Sequence, residues 1–445
     1  MHRHKLFTDG ALLYFAHIFR YVFPIVIIPL LARKLGAEHY GIVLVGLSLA
    51  TLVSLIVEFG FNVSGTRDLA TQDASQLDGV VSAILTAKLI LMVPAITFGV
   101  AVVSSSTVLQ NAPVVGVLSI IYGLLQGTNL LWYFRARGRM ALVVKIELAA
   151  QLLNMVLIVT FVGGENSYAS VILFYILASA LTLLITGVIL VREVKVRISS
   201  WAAARNALRG GGAIFVLTGA VAAYTAASGL VLGWLSTPDQ VGYFGPADKL
   251  INAGLQLLNP LSTLLLPHMT RELKSNPAQA YVLLKRTTFV LTACSSLASV
   301  VILFLGPFIM KIFLGHAYAE AGNIFAVLSL TLPLGTISYC LSMLLLLPAR
   351  KDLSVTVIAI VGGALNLLCA YLLTPQNGAM GMAISRVIAE IAITILTFYV
   401  TIRSGLWRDV WSARGVVPQA ESLSGRFQVL KRKFLRLPMT FRSGL

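Results

Sequence analysis

Charge is what this chain most lacks. Only 11% of its 445 residues are Asp, Glu, Lys or Arg, against roughly 25% in a soluble domain. That scarcity excludes one large soluble protein. Cysteine is scarcer still: Cys294, Cys340 and Cys369 each sit in an apolar run and have no metal-ligand spacing. They read as packing residues, and no disulfide framework, metal or cofactor is expected. Gly210-Gly211-Gly212 is not followed by Gly-Lys-Ser/Thr, so it is not a phosphate loop, and an ATP-driven pump is disfavoured. The ten-residue alternating segments of a membrane β-barrel are missing too. So is a cleavable leader: the first apolar run is long, carries Arg20 and lacks a small-residue cleavage site, so it is expected to be retained.

What is present is apolar sequence, 58% of the chain. Stretches of about 18–25 apolar residues recur from end to end, each able to cross a hydrocarbon core of roughly 30 Å. Helices are predicted at 11–31, 41–61, 80–103, 113–133, 142–162, 168–191, 213–236, 243–266, 287–310, 322–347, 353–373 and 379–402. The fold class is therefore an all-α polytopic membrane protein of about twelve transmembrane helices. A net charge of +17 would point to nucleic acid in a soluble protein, but its placement here has another meaning. With the N-terminus in the cytoplasm, Arg67, Arg137, Arg192, Arg271, Lys351 and the basic tail all fall inside. Only Arg33, Lys34 and Lys311 fall in outer loops. Positive loops stay inside, so both termini are expected in the cytoplasm and no nucleic-acid partner is expected.

The halves read as a repeat. Leu35-Gly36-Ala37-Glu38-His39-Tyr40-Gly41 leads into the second span, and Leu235-Ser236-Thr237-Pro238-Asp239-Gln240-Val241-Gly242 leads into the eighth. Gly65-Thr66-Arg67-Asp68-Leu69 and Met269-Thr270-Arg271-Glu272-Leu273 follow those spans in turn. Six helices per half give a parallel repeat about an axis along the membrane normal. The expected organisation is an N-terminal lobe at 1–198, a cytoplasmic linker at 199–212, a C-terminal lobe at 213–403 and a basic cytoplasmic tail at 404–445. Within the tail, Arg426–Leu437 is amphipathic, and either lies on the anionic leaflet or stays solvated.

Ionisable residues inside spans mark partners or water-filled cavities, because lipid disfavours them. Arg20, Lys88, Lys249 and Arg386 are the basic candidates; Glu58, Glu147, Asp248 and Glu390 are the acids. Arg386 and Glu390 are four apart, so they either neutralise each other or hold a ligand. Lys88 either snorkels or faces a cavity, whereas Arg20 is too deep to snorkel easily. Lys249, Asn252, Gln256 and Asn259 recur on one face of the eighth helix, with Asp248 beside them. That wet stripe in an apolar helix points to a lumen. His17 clusters with Arg20, Tyr14, Tyr21 and Pro24 in the first helix, and Tyr122, Gln126, Asn129 and Tyr133 line the fourth. Uncharged stripes of this kind also arise from ordinary interhelical hydrogen bonding.

The runs Pro29–Gly41, Phe59-Gly60-Phe61-Asn62 with Thr66-Arg67-Asp68, and Val241-Gly242-Tyr243-Phe244 with Ala247-Asp248-Lys249-Leu250 resemble the Wzx-type polysaccharide flippases. So do Leu266-Pro267 and Gly378–Ala383 with Glu390. The family belongs to the superfamily of lipid II flippases and multidrug exporters of the MATE type. Trp132–Met140 is similar to the family's fourth loop, although Arg135-Ala136-Arg137 departs from the commoner pattern. The resemblance covers most of residues 11–402 and leaves the tail uncovered. It implies two six-helix lobes around a central cationic cavity in a bacterial inner membrane, carrying undecaprenyl-pyrophosphate oligosaccharide outward. Polysaccharide polymerase and chain-length regulator are its expected partners, besides membrane lipids.

On this reading Arg20, Lys249, Lys88 and Arg386 bind the substrate. His17, Asn252, Gln256 and Asn259 line the lumen, and Asp248 and Glu390 are candidates for ion coupling. A small-molecule multidrug exporter of the same fold would call for an acidic cavity. A membrane glycosyltransferase or polymerase, an enzyme, would call for a large loop or paired carboxylates. A non-transporting scaffold would need no intramembrane charge.

Overall fold

The computed structural model describes the backbone of residues 2–70, 76–225 and 227–407. Side chains are described for the same residues except 2–24, 217, 220–225, 263 and 264. Arg20, His17 and the amphipathic tail segment therefore lie outside the described side chains. All the described regular structure is helical.

Helical backbone begins at His2, and α1 (2–35) ends where Gly36 leaves the helical path with φ 73° and ψ 173°. The chain passes straight into α2 (37–58), because glycine takes this left-handed turn without a Cβ penalty. The short helix Phe61–Ala70 then leads to α3 (Leu77–Ser105), α4 (Pro113–Gly127), α5 (Met140–Phe161) and α6 (Tyr168–Glu193). In the second half, α7 comprises Trp201–Thr225 and Ala227–Leu235, and α8 comprises Pro238–Gln256 and Leu258–Ser275. After α9 (Pro277–Leu314), α10 runs from Ala319 to Leu346 and ends in a π-helical turn. Gly378 (φ 53°) separates α11 (352–377) from α12 (379–403).

Eight described stretches are long and apolar enough to cross a membrane. Two of them, Ile25–Ala70 and Asp352–Arg403, contain the Gly36 and Gly378 junctions and each hold two spans. With α7 and α8, the twelve expected spans are accounted for. The structure departs from expectation in three places. The α7 helix starts at Trp201, so helix occupies most of the expected linker. The α9 helix is longer than its apolar run, from Pro277 to Leu314. The α8 helix breaks at Leu257, because Pro260 has no N–H for the Gln256 carbonyl.

The end of the bundle that carries Arg67, Arg137 and Arg271 is called inner, and the opposite end outer. At the outer end, α2 and α8 cross closely enough that side chains are excluded. A Cβ at Gly41 would overlap the Pro238 carbonyl, and one at Gly242 would overlap the Ala37 carbonyl. Ala37 precedes Gly41 by one helical turn, as Pro238 precedes Gly242. The contact is reciprocal, which defines a local two-fold between the halves. Both helices run from outer to inner, so the axis lies along the bundle and the lobes are parallel repeats.

One continuous apolar core joins the lobes at the outer end, from Leu35 and Val43 through Val241 and Phe244 to Leu314 and Met382. Towards the inner end it gives way to two separate cores. One lies in the first lobe around Trp132, Phe134 and Val81; the other lies in the second around Tyr281, Leu284 and Leu345. Joined at one end and divided at the other, the lobes form a V.

Two local devices hold this frame. The outer cations are tied to helix ends: Arg33 donates to the Ile312 carbonyl (2.5 Å), and Lys34 donates to Val159 and Val162 (3.0 and 2.6 Å). Positive charge is favoured at helix C-termini, here those of α9 and α5. At the inner end, residues 195–199 lie extended along α3. The backbone N–H groups of Lys195, Arg197 and Ser199 donate to Asp78, Ser82 and Thr86 at 3.1, 3.1 and 3.0 Å. Acceptors four residues apart on a helix rise about 6 Å, close to the two-residue step of an extended strand. The periodicities match, so the strap lies in register along the helix.

Candidate functional site

Between the lobes, just inside the Gly41–Gly242 crossing, lies a cavity of about 370 Å³. Its first wall comes from α2, α4 and α6, its second from α8, with Gly229 of α7 at the margin. Leu44 and Phe244 close it towards the outer core, and Ser48, Thr51, Tyr122, Gln126 and Tyr175 face it from the first lobe. Asp248 and Lys249 supply its charge from α8. Lys249 is eleven positions into that helix from Pro238, about 16 Å along its axis, which places the ammonium near mid-span.

The four basic candidates have different surroundings. Lys249 is half-buried and makes no hydrogen bond or ion pair with any described residue, so its charge faces the cavity. Lys88 is 1% exposed and donates to the carbonyls of Gly127 (2.8 Å) and Asn129 (3.1 Å), sealing the C-terminal end of α4. It does not line the inter-lobe cavity. Arg386 is 1% exposed on α12 and pairs with Asp248 on α8. Its second terminal nitrogen donates to Asn252 Oδ1 at 2.5 Å, and Asn252 Nδ2 donates to Asp248 at 2.9 Å. Arg20 lies outside the described side chains.

The four-residue spacing of Arg386 and Glu390 suggested a partner on the same helix, and the structure adds one from another helix. Asp248 faces Arg386 across the helix interface. Glu390 is 5% exposed and accepts from Ser338 Oγ at 3.1 Å. It borders a second, largely apolar cavity of about 250 Å³ within the second lobe, between α8, α10, α11 and α12.

The wet stripe of the eighth helix is divided by the break at Leu257. Lys249 faces the cavity and Asn252 joins the Arg386–Asp248 network. Gln256 is exposed at the end of its helix, and Asn259, in the next segment, accepts from Tyr339 Oη at 3.0 Å. His17 lies outside the described side chains.

Sequence reasoning singled out Tyr122 and Gln126 without placing them at the site, and it passed over Ser48, Thr51 and Tyr175. Ser48 and Thr51 are three apart in an apolar helix, a spacing that could have been read as a polar face. Tyr175 gave no such signal. The rings of Tyr122 and Tyr175 lie 5.4 Å apart at 44°, and Gln126 Nε2 reaches Tyr122 Oη at 3.5 Å.

A bundle of twelve spans in two parallel six-helix lobes, with a cavity and a deep cation between them, defines a polytopic membrane protein. Residues 6–272 match the model of the polysaccharide biosynthesis protein family, and the chain belongs to that family. A relative from Escherichia coli (strain K12), named "Putative O-antigen transporter", is 28% identical over 414 residues, 89% of this chain and 97% of the relative. Among solved structures, the lipid II flippase MurJ in an inward closed conformation superposes with a TM-score of 0.66 at 11% identity, covering 97% of this chain and 93% of that one. A eukaryotic MATE transporter superposes at 0.53 with 14% identity, over 91% and 96%. Both structural likenesses concern the fold.

Proposed function

We propose that this protein is a flippase of the bacterial inner membrane that carries undecaprenyl-pyrophosphate-linked oligosaccharide from the cytoplasmic to the periplasmic leaflet by alternating access. The observation that carries the reading is Lys249, a cation near mid-span that makes no hydrogen bond or ion pair with a described residue and borders a cavity between lobes. A pyrophosphate crosses hydrocarbon only if its charge is met, and an ammonium in a low-dielectric site meets it strongly. The relative's name and the family membership support the same substrate class.

Arg20, on the other lobe, is the second headgroup ligand in this reading, while Lys88 and Arg386 brace the helices that present the site. The prenyl tail stays in lipid and the glycan enters from the inner opening of the V. With the cell interior negative, outward movement of negative charge gains roughly 2.3 kcal/mol per charge per 100 mV. Asp248 and Glu390 are the groups available to couple an ion. Both termini are cytoplasmic, residues 1–198 and 213–403 are the moving lobes, and the polymerase and chain-length regulator receive the product.

The test replaces the chromosomal copy in the native host with Lys249→Ala and measures glycan at the cell surface. Delivery should fall more than about tenfold at unchanged membrane levels of protein, the equivalent of losing one charge-assisted contact. Lys249→Arg should restore part of it. Wild-type delivery by a normally accumulated Lys249→Ala protein would remove the proposal.

A further inference from the structure

The two walls of the inter-lobe cavity are repeats of each other, yet their chemistry differs. Sliding the first half onto the second by the spacing from Gly41 to Gly242 carries Ser48 onto Lys249 and Thr51 onto Asn252. Positions that hold a cation and an amide bound to an ion pair on α8 hold only hydroxyls on α2. The rest of the first wall continues in that vein, with the phenol faces of Tyr122 and Tyr175 and the carboxamide of Gln126. No charged side chain from the first lobe borders the cavity among the described residues.

From this asymmetry we infer that the first wall is the sugar-recognition surface and that Tyr122 and Gln126 are its principal contacts. The inference rests on the flippase reading and divides its substrate between two walls. A pyranose has flat patches of C–H that pack on aromatic faces, and vicinal hydroxyls that pair with a carboxamide's donor and acceptor. Tyr122 is half-buried with its ring tilted against Tyr175, so the ring is held by its neighbour, and Gln126 is exposed one turn further along α4. The hydroxyls, phenols and carboxamide of this described wall carry no charge to meet a pyrophosphate, which is held by Lys249 and, in the flippase reading, by Arg20. Gly229 of α7 keeps open the space beside Ser48: a Cβ there would sit 2.6 Å from Ser48 Oγ. The volume is in the range of sites for small ligands, so the wall reads the sugars nearest the pyrophosphate and not a whole glycan.

The experiment uses the full-length protein in lipid nanodiscs and two probes: undecaprenyl pyrophosphate, and the same lipid bearing one N-acetylglucosamine. The wild type should bind the glycosylated probe several-fold more tightly than the bare one. Tyr122→Ala and Gln126→Ala should each erase most of that difference while binding of the bare lipid stays within about twofold, which also verifies folding. Tyr122→Phe, which keeps the ring, should retain the difference. Lys249→Ala should weaken both probes about tenfold and leave their ratio unchanged. If the wild type shows no preference for the sugar, or if Tyr122→Ala and Gln126→Ala both retain it, the assignment of this wall is overturned and the flippase reading stands. If the wild type binds neither lipid, the flippase reading fails and takes the assignment with it.

Discussion

Asp248 and Lys249 are adjacent in sequence and opposite in circumstance. Neighbours on a helix point about 100° apart, so Asp248 turns to Arg386 at the α8–α12 interface while Lys249 turns to the cavity. A buried pair of this kind is costly to break from one side, because the remaining charge is stranded. Arg386→Ala should therefore lower stability by about 3–5 kcal/mol, read as a fall in the melting temperature of the purified protein. Arg386→Gln combined with Asp248→Asn, which removes both charges, should recover most of that loss. If the double variant melts no higher than Arg386→Ala, the two charges are not each other's main support. The sequence made these residues visible as intramembrane charges, but not their pairing: Asp248 and Arg386 are 138 positions apart, and local spacing favoured Glu390. Lys249 was visible as an intramembrane cation on the polar stripe of its helix, and it borders the inter-lobe cavity.

At the scale of elements, hydrophobic run length placed the helices well, since crossing the bilayer demands about twenty apolar residues wherever the chain does it. Its gaps at 32–40 and 374–378 contain the Gly36 and Gly378 junctions. Run length did not show that helix continues up to both sides of each glycine, and the Pro260 break lies inside a run that looked continuous. The reciprocal glycine contact between α2 and α8 was foreshadowed only as a sequence repeat; its role as a crossing needs both helices in place. One turn further in, a Cβ at Gly245 would lie 3.5 Å from Leu44 Cγ, within reach of a cross-link once both are cysteine. Leu44→Cys with Gly245→Cys, in a chain whose native cysteines are replaced, should cross-link on mild oxidation. Cross-linked protein should stop delivering glycan, and a reductant should restore delivery. Undiminished delivery by the cross-linked form would show that the outer crossing does not have to open.

For the whole molecule, the V formed by one shared outer core and two separate inner cores fixes which surfaces water can reach. Single cysteines at Arg137, Ala203 and Lys274 should react with a membrane-impermeant maleimide only after the inner face is exposed in inverted vesicles. Cysteines at Ser105, Glu165 and Asn377 should react from outside intact cells. Labelling of Ala203→Cys from outside would break both the count of spans and the parallel relation of the lobes.

The strap along α3 also decides where this chain can be interrupted. Segments between lobes are the usual places to insert a tag or cut a gene in two, because little depends on them. Here one extra residue between Val194 and Arg197 would put the amides that now meet Ser82 and Thr86 out of phase. Thr86 is nine residues into α3, about 14 Å along it, where few waters are available to replace the lost acceptors. The tolerant site is instead the exposed turn at Gly163–Glu165. A short epitope inserted there should leave surface glycan near wild-type levels, whereas the same epitope after Val196 should reduce the amount of protein recovered in the membrane. Equal recovery from both insertions would mean that the strap is only a passive thread. The stretch of chain that looks most like spare length is thus a graduated ruler, and its length is part of the design.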